Sequence, residues 1–265
     1  LISSDAGNII EDSRGTVWFA TSCGLSSFDG STWRTWTEGD GLYKNSVYGV
    51  AAASDGAIWC SPGGMLTRFD GGTFTTFPPP EGEDTPEHRF YILNISIDSE
   101  GTIWTGNKKT ITLPDGGSRV TGVWRFRNGA WDLYSVDSNT AEYFSGSIIP
   151  DDRGVFWLTS SSGLTRWDGV HFREYRVNCP GHVLPVEIIP EDDTIWITGQ
   201  FSAAVTYVSQ YRKGTWNIFD PGNGQRTGAY LLETDGMDRK WFSTSSVTVW
   251  EADSLRVVIP FDEMP

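Results

Sequence analysis

The chain has 265 residues, with 34 acidic against 20 basic side chains and a net charge of −14. Such a surface repels phosphate backbones and anionic lipid headgroups, which excludes nucleic acid as a natural partner and disfavours attachment to membranes by charge. No apolar run reaches the roughly 18 residues of a spanning helix, so no membrane insertion is expected.

The chain is rich in turn formers and rings, with 30 Gly, 13 Trp, 14 Phe and 9 Tyr. No long stretch shows an apolar 3.6-residue period. Both features favour strands joined by tight turns. A first strand is expected from near Asn8. The segment Glu11-Asp12-Ser13-Arg14-Gly15-Thr16-Val17-Trp18 then reads as a turn leading into a second strand. Gly supplies the positive φ of that turn, and Asp can bond to nearby backbone amides. Gly24 to Phe28 is a third strand, ended by the hairpin signal Asp29-Gly30. Trp33-Arg34-Thr35-Trp36 alternates aromatic and polar residues, as a strand with one buried face should.

The same order then returns along the whole sequence. Val47 to Ala52 is the next short apolar strand. Asp98-Ser99-Glu100-Gly101-Thr102-Ile103-Trp104 and Asp151-Asp152-Arg153-Gly154-Val155-Phe156-Trp157 repeat the turn and its tryptophan. Weaker copies end at Trp59, Trp196 and Trp241. The six tryptophans are 41, 45, 53, 39 and 45 residues apart. That period of about 45 residues suits four-stranded propeller blades. The hairpin returns as Phe69-Asp70-Gly71 and Trp167-Asp168-Gly169, and more loosely at Arg127-Asn128-Gly129 and Lys213-Gly214. The last strand is expected at Leu255 to Ile259.

The expected fold is therefore all-β: a six-bladed β-propeller of four-stranded antiparallel blades in one domain over 1–265. The blades fall at about 5–37, 45–77, 90–135, 143–176, 183–219 and 228–260. A seven-bladed ring is the alternative if the chain is a fragment. Stacking blades about an axis covers both faces of each sheet. The recurrent tryptophans are expected to fill the wedges between blades.

Cys23, Cys60 and Cys179 are odd in number and irregular in spacing, which fits neither a disulfide framework nor a zinc site. Cys179-Pro180-Gly181-His182 offers two metal ligands without a second pair. No metal or cofactor is expected.

The pattern D-x-x-G-x-x-W-x-x-T-x-x-G-L-x-x-(F/W)-D-G runs from Asp12 to Gly30, and with slight departure from Asp151 to Gly169. It resembles the two-component regulator propeller repeat, and Gly41-Leu42-Tyr43-Lys44-Asn45-Ser46-Val47 is similar to that repeat's connection between blades. The resemblance implies a sensor-type propeller of bacterial periplasmic or secreted proteins. No secretory leader is visible at Leu1. The sequence holds no kinase, receiver or helix-turn-helix region, so a signalling role needs a further segment or another chain.

Propellers bind ligands at a channel mouth built from loops of several blades. The loops entering each first strand and those joining second to third strands share one face. Counting back about 14 residues from each blade tryptophan places Asn45, Phe90 (beside Arg89), Tyr143, His182 and Thr227 (beside Arg226) on that rim. Unlike the frame, these positions differ from blade to blade. Two insertions join them, one from Asn107 through Lys108 to Arg119, the other from Gln200 to Tyr207. The first puts basic groups on an acidic protein.

Three functions fit this pattern. The first is a non-catalytic extracytoplasmic module for a small ligand, a glycan or a protein, with Tyr43 and Tyr143 stacking on sugar faces. The second is a structural or interaction subunit that docks another protein chain. The third is a lyase or hydrolase using His88 or His182. No nucleophile elbow, phosphate loop or zinc helix accompanies those histidines.

Overall fold

The structure is a computed structural model. It describes residues 6–80, 90–106, 110–112, 118–120, 123–134, 144–150, 156–160, 163–168, 171–176, 183–191, 194–201, 205–219, 230–234, 239–243, 247–251 and 254–259. The described residues form 26 strands and no α-helix. Six four-stranded antiparallel sheets follow one another in chain order, each with its strands in sequence.

Sheet one is β1 (Ala6–Glu11), β2 (Val17–Thr21), β3 (Gly24–Phe28) and β4 (Trp33–Trp36). A short 3-10 turn, Glu38–Asp40, leads to sheet two: β5 (Val47–Ala52), β6 (Ile58–Pro62), β7 (Leu66–Phe69) and β8 (Phe74–Phe77). Sheet three has β9 (Ser96–Ile97) and β10 (Ile103–Gly106), then, beyond an inserted hairpin of β11 (Thr110–Thr112) and β12 (Ser118–Val120), β13 (Val123–Arg127) and β14 (Ala130–Tyr134). Sheet four is β15 (Phe144–Pro150), β16 (Phe156–Ser160), β17 (Gly163–Trp167) and β18 (Phe172–Arg176). Sheet five is β19 (Val183–Glu191), β20 (Thr194–Phe201), β21 (Val205–Arg212) and β22 (Thr215–Phe219). Sheet six is β23 (Tyr230–Thr234), β24 (Lys240–Ser243), β25 (Val247–Glu251) and β26 (Ser254–Ile259).

The chain divides into two compact units. One spans Leu1–Phe144 and Pro150–Phe156, the other Ser145–Ile149 and Trp157–Pro265. In the first unit, Trp18 stacks on Trp36 of its own sheet at 5.3 Å and meets Phe69 of sheet two edge-on at 6.1 Å. Trp59 repeats this one sheet later, stacked on Phe77 at 5.4 Å and edge-on to Phe126 at 5.9 Å. Trp104 reaches Phe156 at 4.9 Å. In the second unit, Trp157 packs on Tyr175 at 5.4 Å, Tyr175 on Tyr211 at 5.3 Å, and Trp196 on Trp250 at 5.3 Å. Four of the six repeated tryptophans, Trp18, Trp59, Trp104 and Trp196, thus meet a ring of the next sheet, and each such aromatic pair adds about 0.5–1.5 kcal/mol beyond its buried area.

The Asp-x-x-Gly turn does more than the sequence suggests. Asp12 Oδ1 accepts from the amides of Arg14 (2.9 Å) and Thr16 (3.1 Å), and its Oδ2 accepts from the Trp18 indole at 3.0 Å. Asp98 repeats the arrangement, taking the amides of Glu100 and Thr102 and the Trp104 indole at 2.8 Å. One carboxylate therefore shapes the turn and orients the core tryptophan. In sheet two, Ala53 stands at the Asp position and makes the same backbone bonds, to Ala57 and Gly56. Asp55 takes the Ala57 amide there and pairs with Arg68 at 3.0 Å.

The hairpins are of two kinds, which corrects the single Asp-Gly expectation. Asp29 to Thr32 is a four-residue loop, because Phe28 pairs with Trp33. The Asp29 side chain closes it by accepting from the amides of Ser31 and Thr32, and Asp70 does the same for Gly72 and Thr73. The looser copies are two-residue turns: Asn128-Gly129 has φ of 52° and 80°, and Lys213-Gly214 has 50° and 87°. Positive φ at both central residues is the type I′ turn, whose twist matches the strands it joins.

Candidate functional site

Among the described residues, the first strands of four sheets carry a break in register: β1, β5, β19 and β23. In β5 the break falls between Val47, paired with Pro62, and Val50, paired with Cys60. Tyr48 and Gly49 are the residues so displaced. A bulge of this kind re-aims a side chain out of the ladder. Gly49 compensates by donating its amide to Ser61 Oγ at 2.8 Å.

Three segments meet beside this bulge. The turn after β6 contains Gly63 and Gly64, with φ of 59° and 83°. Gly63 donates its amide to Ser46 O at 2.7 Å, in the connection entering β5. Gly64 O accepts from the Ile92 amide at 3.0 Å, in the segment entering sheet three. The segments entering sheets two and three and the turn between β6 and β7 therefore lie together in the first unit.

A side chain at either glycine would be strained by the positive φ and crowded by its neighbours. A Cβ on Gly63 would stand 2.7 Å from Lys44 Cγ and 3.5 Å from Tyr43 Cε1. A Cβ on Gly64 would meet three atoms of the Tyr91 ring at 3.0–3.1 Å. The Tyr91 ring thus lies flat on Gly64, while Tyr43 and the Lys44 stem cover Gly63. The Tyr91 hydroxyl is 2.8 Å from that of Tyr48, with ring centroids 5.2 Å apart. A hydrogen bond with the Ser46 hydroxyl and the one with Tyr91 lower the Tyr48 pKa against the opposing effect of burial. Tyr43 is 47 % and Leu93 39 % exposed, so the cluster has an apolar surface as well as hydroxyls.

Of the rim residues read from the sequence, Asn45 and Phe90 are among the described residues. Asn45 closes its own connection: its Oδ1 accepts from Glu38 N at 2.8 Å, and its amide donates to Glu38 Oε1 at 3.1 Å. Phe90 is 3 % exposed, packed against Trp124 at 5.6 Å and Trp131 at 5.4 Å. Its neighbour Tyr91 faces the site instead. Arg89, Tyr143, His182, Arg226 and Lys108 lie outside the described residues, as do His88 and Thr227. Around Lys108, the insertion contains the β11–β12 ladder, Thr110 to Thr112 paired with Val120 to Ser118. The second insertion lengthens the β20–β21 hairpin, paired out to Phe201 and Val205.

Cys60 is buried and Cys23 exposed, both as free thiols. Among the described residues no group of three or more His, Cys, Asp or Glu could hold a metal ion. None of their helices is long and apolar enough to cross a membrane.

No family model and no curated protein sequence matches the chain. Solved structures do. The extracellular domain of the hybrid two component system BT4673 from B. thetaiotaomicron superposes with a TM-score of 0.68 at 17 % identity, over 98 % of this chain. This chain spans about a third, 34 %, of that protein's length. Virginiamycin B lyase from Staphylococcus aureus gives 0.72 at 17 % identity, over 98 % of this chain and 86 % of the lyase. PorZ, a surface component of the type-IX secretion system of Porphyromonas gingivalis, gives 0.70 at 12 % identity, over 100 % of this chain and 43 % of PorZ. The two-component likeness first carried by the repeat thus recurs among the structural neighbours, and the chain has the all-β propeller fold of such extracellular sensor domains.

Proposed function

We propose that the chain is a non-catalytic binding propeller, acting in the periplasm or outside the cell, whose six sheets close as six blades. One observation carries this reading. The loops entering sheets two and three and the Gly63-Gly64 turn converge, and they bring Tyr43, Lys44, Ser46, Tyr48 and Tyr91 to one place. A rigid frame that presents non-repeating side chains on converging loops is how propellers recognise ligands. The likeness to a two-component sensor domain supports a sensing role in a larger protein, and a glycan is among the ligand classes that suit exposed tyrosines.

Mass spectrometry of molecules that co-purify with the native chain tests this reading, followed by a thermal-shift screen of small molecules and glycans. A ligand that raises the melting temperature in a dose-dependent way is the expected result. Absence of any stabilising ligand, with the chain recovered only in a stable protein complex, overturns it in favour of an interaction subunit. That second reading has its own support in sheet one. Ile9 is 54 % and Trp33 43 % exposed, on the face that also carries Phe19 and Phe28, with ring centroids 5.1 and 4.9 Å from Trp33.

A further inference from the structure

We infer that the arginine pair on the β17–β18 hairpin of sheet four, Arg166 and Arg173, is a docking point for an acidic segment of a partner protein. The inference goes beyond the ligand-binding reading above, because it concerns another sheet and needs none of the tyrosines at Gly63-Gly64.

The two residues stand directly opposite each other across β17 and β18. Like charges so placed repel. The other five sheets avoid this at the same register position. Sheet one sets Arg34 against Ser27, sheet five Gln210 against Asn217 and sheet six Val249 against Arg256. Sheet three sets Arg125 against Asp132 and joins them at 2.6 Å. Sheet two sets Arg68 against Thr75 and pairs Arg68 with Asp55 at 3.0 Å. In the sequence of sheet four, Arg153 takes the place of Asp55. Among the described residues no carboxylate pairs with Arg166 or Arg173. Asp168, in the hairpin between them, accepts the His171 amide at 2.7 Å.

Aromatic rings hold the pair in place. The Arg166 guanidinium lies over the Trp157 ring at 5.6 Å and that of Arg173 over the Tyr175 ring at 5.3 Å, and the two rings are 5.4 Å apart. A guanidinium with a ring on one face keeps its N–H edges for carboxylate oxygens, which it takes two at a time. Arg173 is exposed and Arg166 half-buried, so a partner reaches both. Arginines seated on Trp and Tyr are the kind of group that anchors protein interfaces. Two forks on separate rings match two carboxylates, which a run of acidic side chains supplies and a lone inorganic anion does not. The net charge of −14 does not forbid such a partner, because at physiological salt fields fade beyond about 8 Å and the charges in contact decide.

Fluorescence anisotropy of a labelled hexaglutamate peptide with the whole chain at physiological salt tests the inference, with inorganic phosphate as competitor. Saturable binding is expected. Arg166→Lys, which keeps the charge and loses the fork, and Arg173→Gln should each weaken it about tenfold. Arg34→Gln, at the same register position of sheet one, removes the same charge as Arg173→Gln and should leave binding unchanged. Circular dichroism and melting temperature should match wild type in all three, and the exposed Arg173 keeps the test decisive even if Arg166→Lys fails to fold. Absence of binding overturns the inference. Equal weakening by Arg34→Gln overturns it too, because net charge alone then accounts for the binding. Displacement by phosphate at concentrations equal to the peptide's overturns the acidic-segment assignment in favour of a small anion.

Discussion

Replacing Asp12 tests whether the repeated aspartate is a turn residue alone or also a core residue. Its carboxylate accepts from the Arg14 and Thr16 amides, from Arg14 Nη2 at 2.8 Å and from the Trp18 indole at 3.0 Å. Trp18 is only 4 % exposed. In Asp12→Ala the indole N–H is left buried without its acceptor, which costs about 1–3 kcal/mol. Loss of the turn bonds, nearer the surface, adds about 1 kcal/mol. A total of about 2–4 kcal/mol follows. Asp12→Asn is the sharper variant, because it keeps the shape. Its amide oxygen can still serve the two backbone amides, but its NH2 group then faces the indole N–H and the Arg14 guanidinium, donor against donors. It should therefore lose most of what Asp12→Ala loses. Urea unfolding followed by tryptophan fluorescence reads the effect as a lower midpoint at unchanged slope. An Asn variant within about 0.5 kcal/mol of wild type refutes the indole bond as a stabilising contact.

Other outcomes follow from the same geometry. Burial raises the Asp12 pKa, but hydrogen bonds from Arg14, Trp18 and the Arg14 and Thr16 amides outweigh it and hold the group at about 2, below 3.8. Its stabilisation, about 2 kcal/mol, is complete above pH 4 and lost as pH falls through 2, so the stability gap between wild type and Asp12→Ala should narrow over that window in acid titrations. Gly24→Ala places a Cβ 2.5 Å from the Trp36 carbonyl at φ +144°, whereas Gly30→Ala, at φ +91°, meets nothing within 4 Å. The second should cost about 1–2 kcal/mol and the first clearly more, read as melting temperature or as loss of folded protein. Burial pushes the Cys60 thiol well up, so iodoacetamide labelling with peptide mapping should modify Cys23 in the folded chain and Cys60 only after unfolding.

The frame is legible in the sequence because it is local and repeated. Val47 to Ala52 and the Asp-x-x-Gly-x-x-Trp segments are written in consecutive residues, and the strands fall on them. The bond from Asp12 to Trp18 was missed although it spans only six residues, because a turn aspartate already has a sufficient reason in its amides. Ala53, which lacks the carboxylate, was the available signal. Of the cluster at Gly63-Gly64, only Tyr43 was legible in the sequence as a ligand contact. Counting back from each tryptophan gives Asn45 and Phe90, while Lys44, Ser46 and Tyr91 are the ones that converge. A bulge shifts side chains by one place, and no spacing rule registers it. The Tyr48–Tyr91 bond joins residues 43 apart and arises only when sheets two and three have docked.

The aromatic contacts between sheets have a direction. At three joints the earlier sheet contributes the second-strand tryptophan and the later one a third-strand ring: Trp18 to Phe69, Trp59 to Phe126 and Trp196 to Trp250. Such a joint is head-to-tail, not self-complementary. During synthesis, each sheet that leaves the ribosome finds its predecessor's indole already in place, so assembly can proceed from the N-terminus without waiting for the end of the chain. A defect at one joint should then stall the sheets that follow it and spare those already laid down.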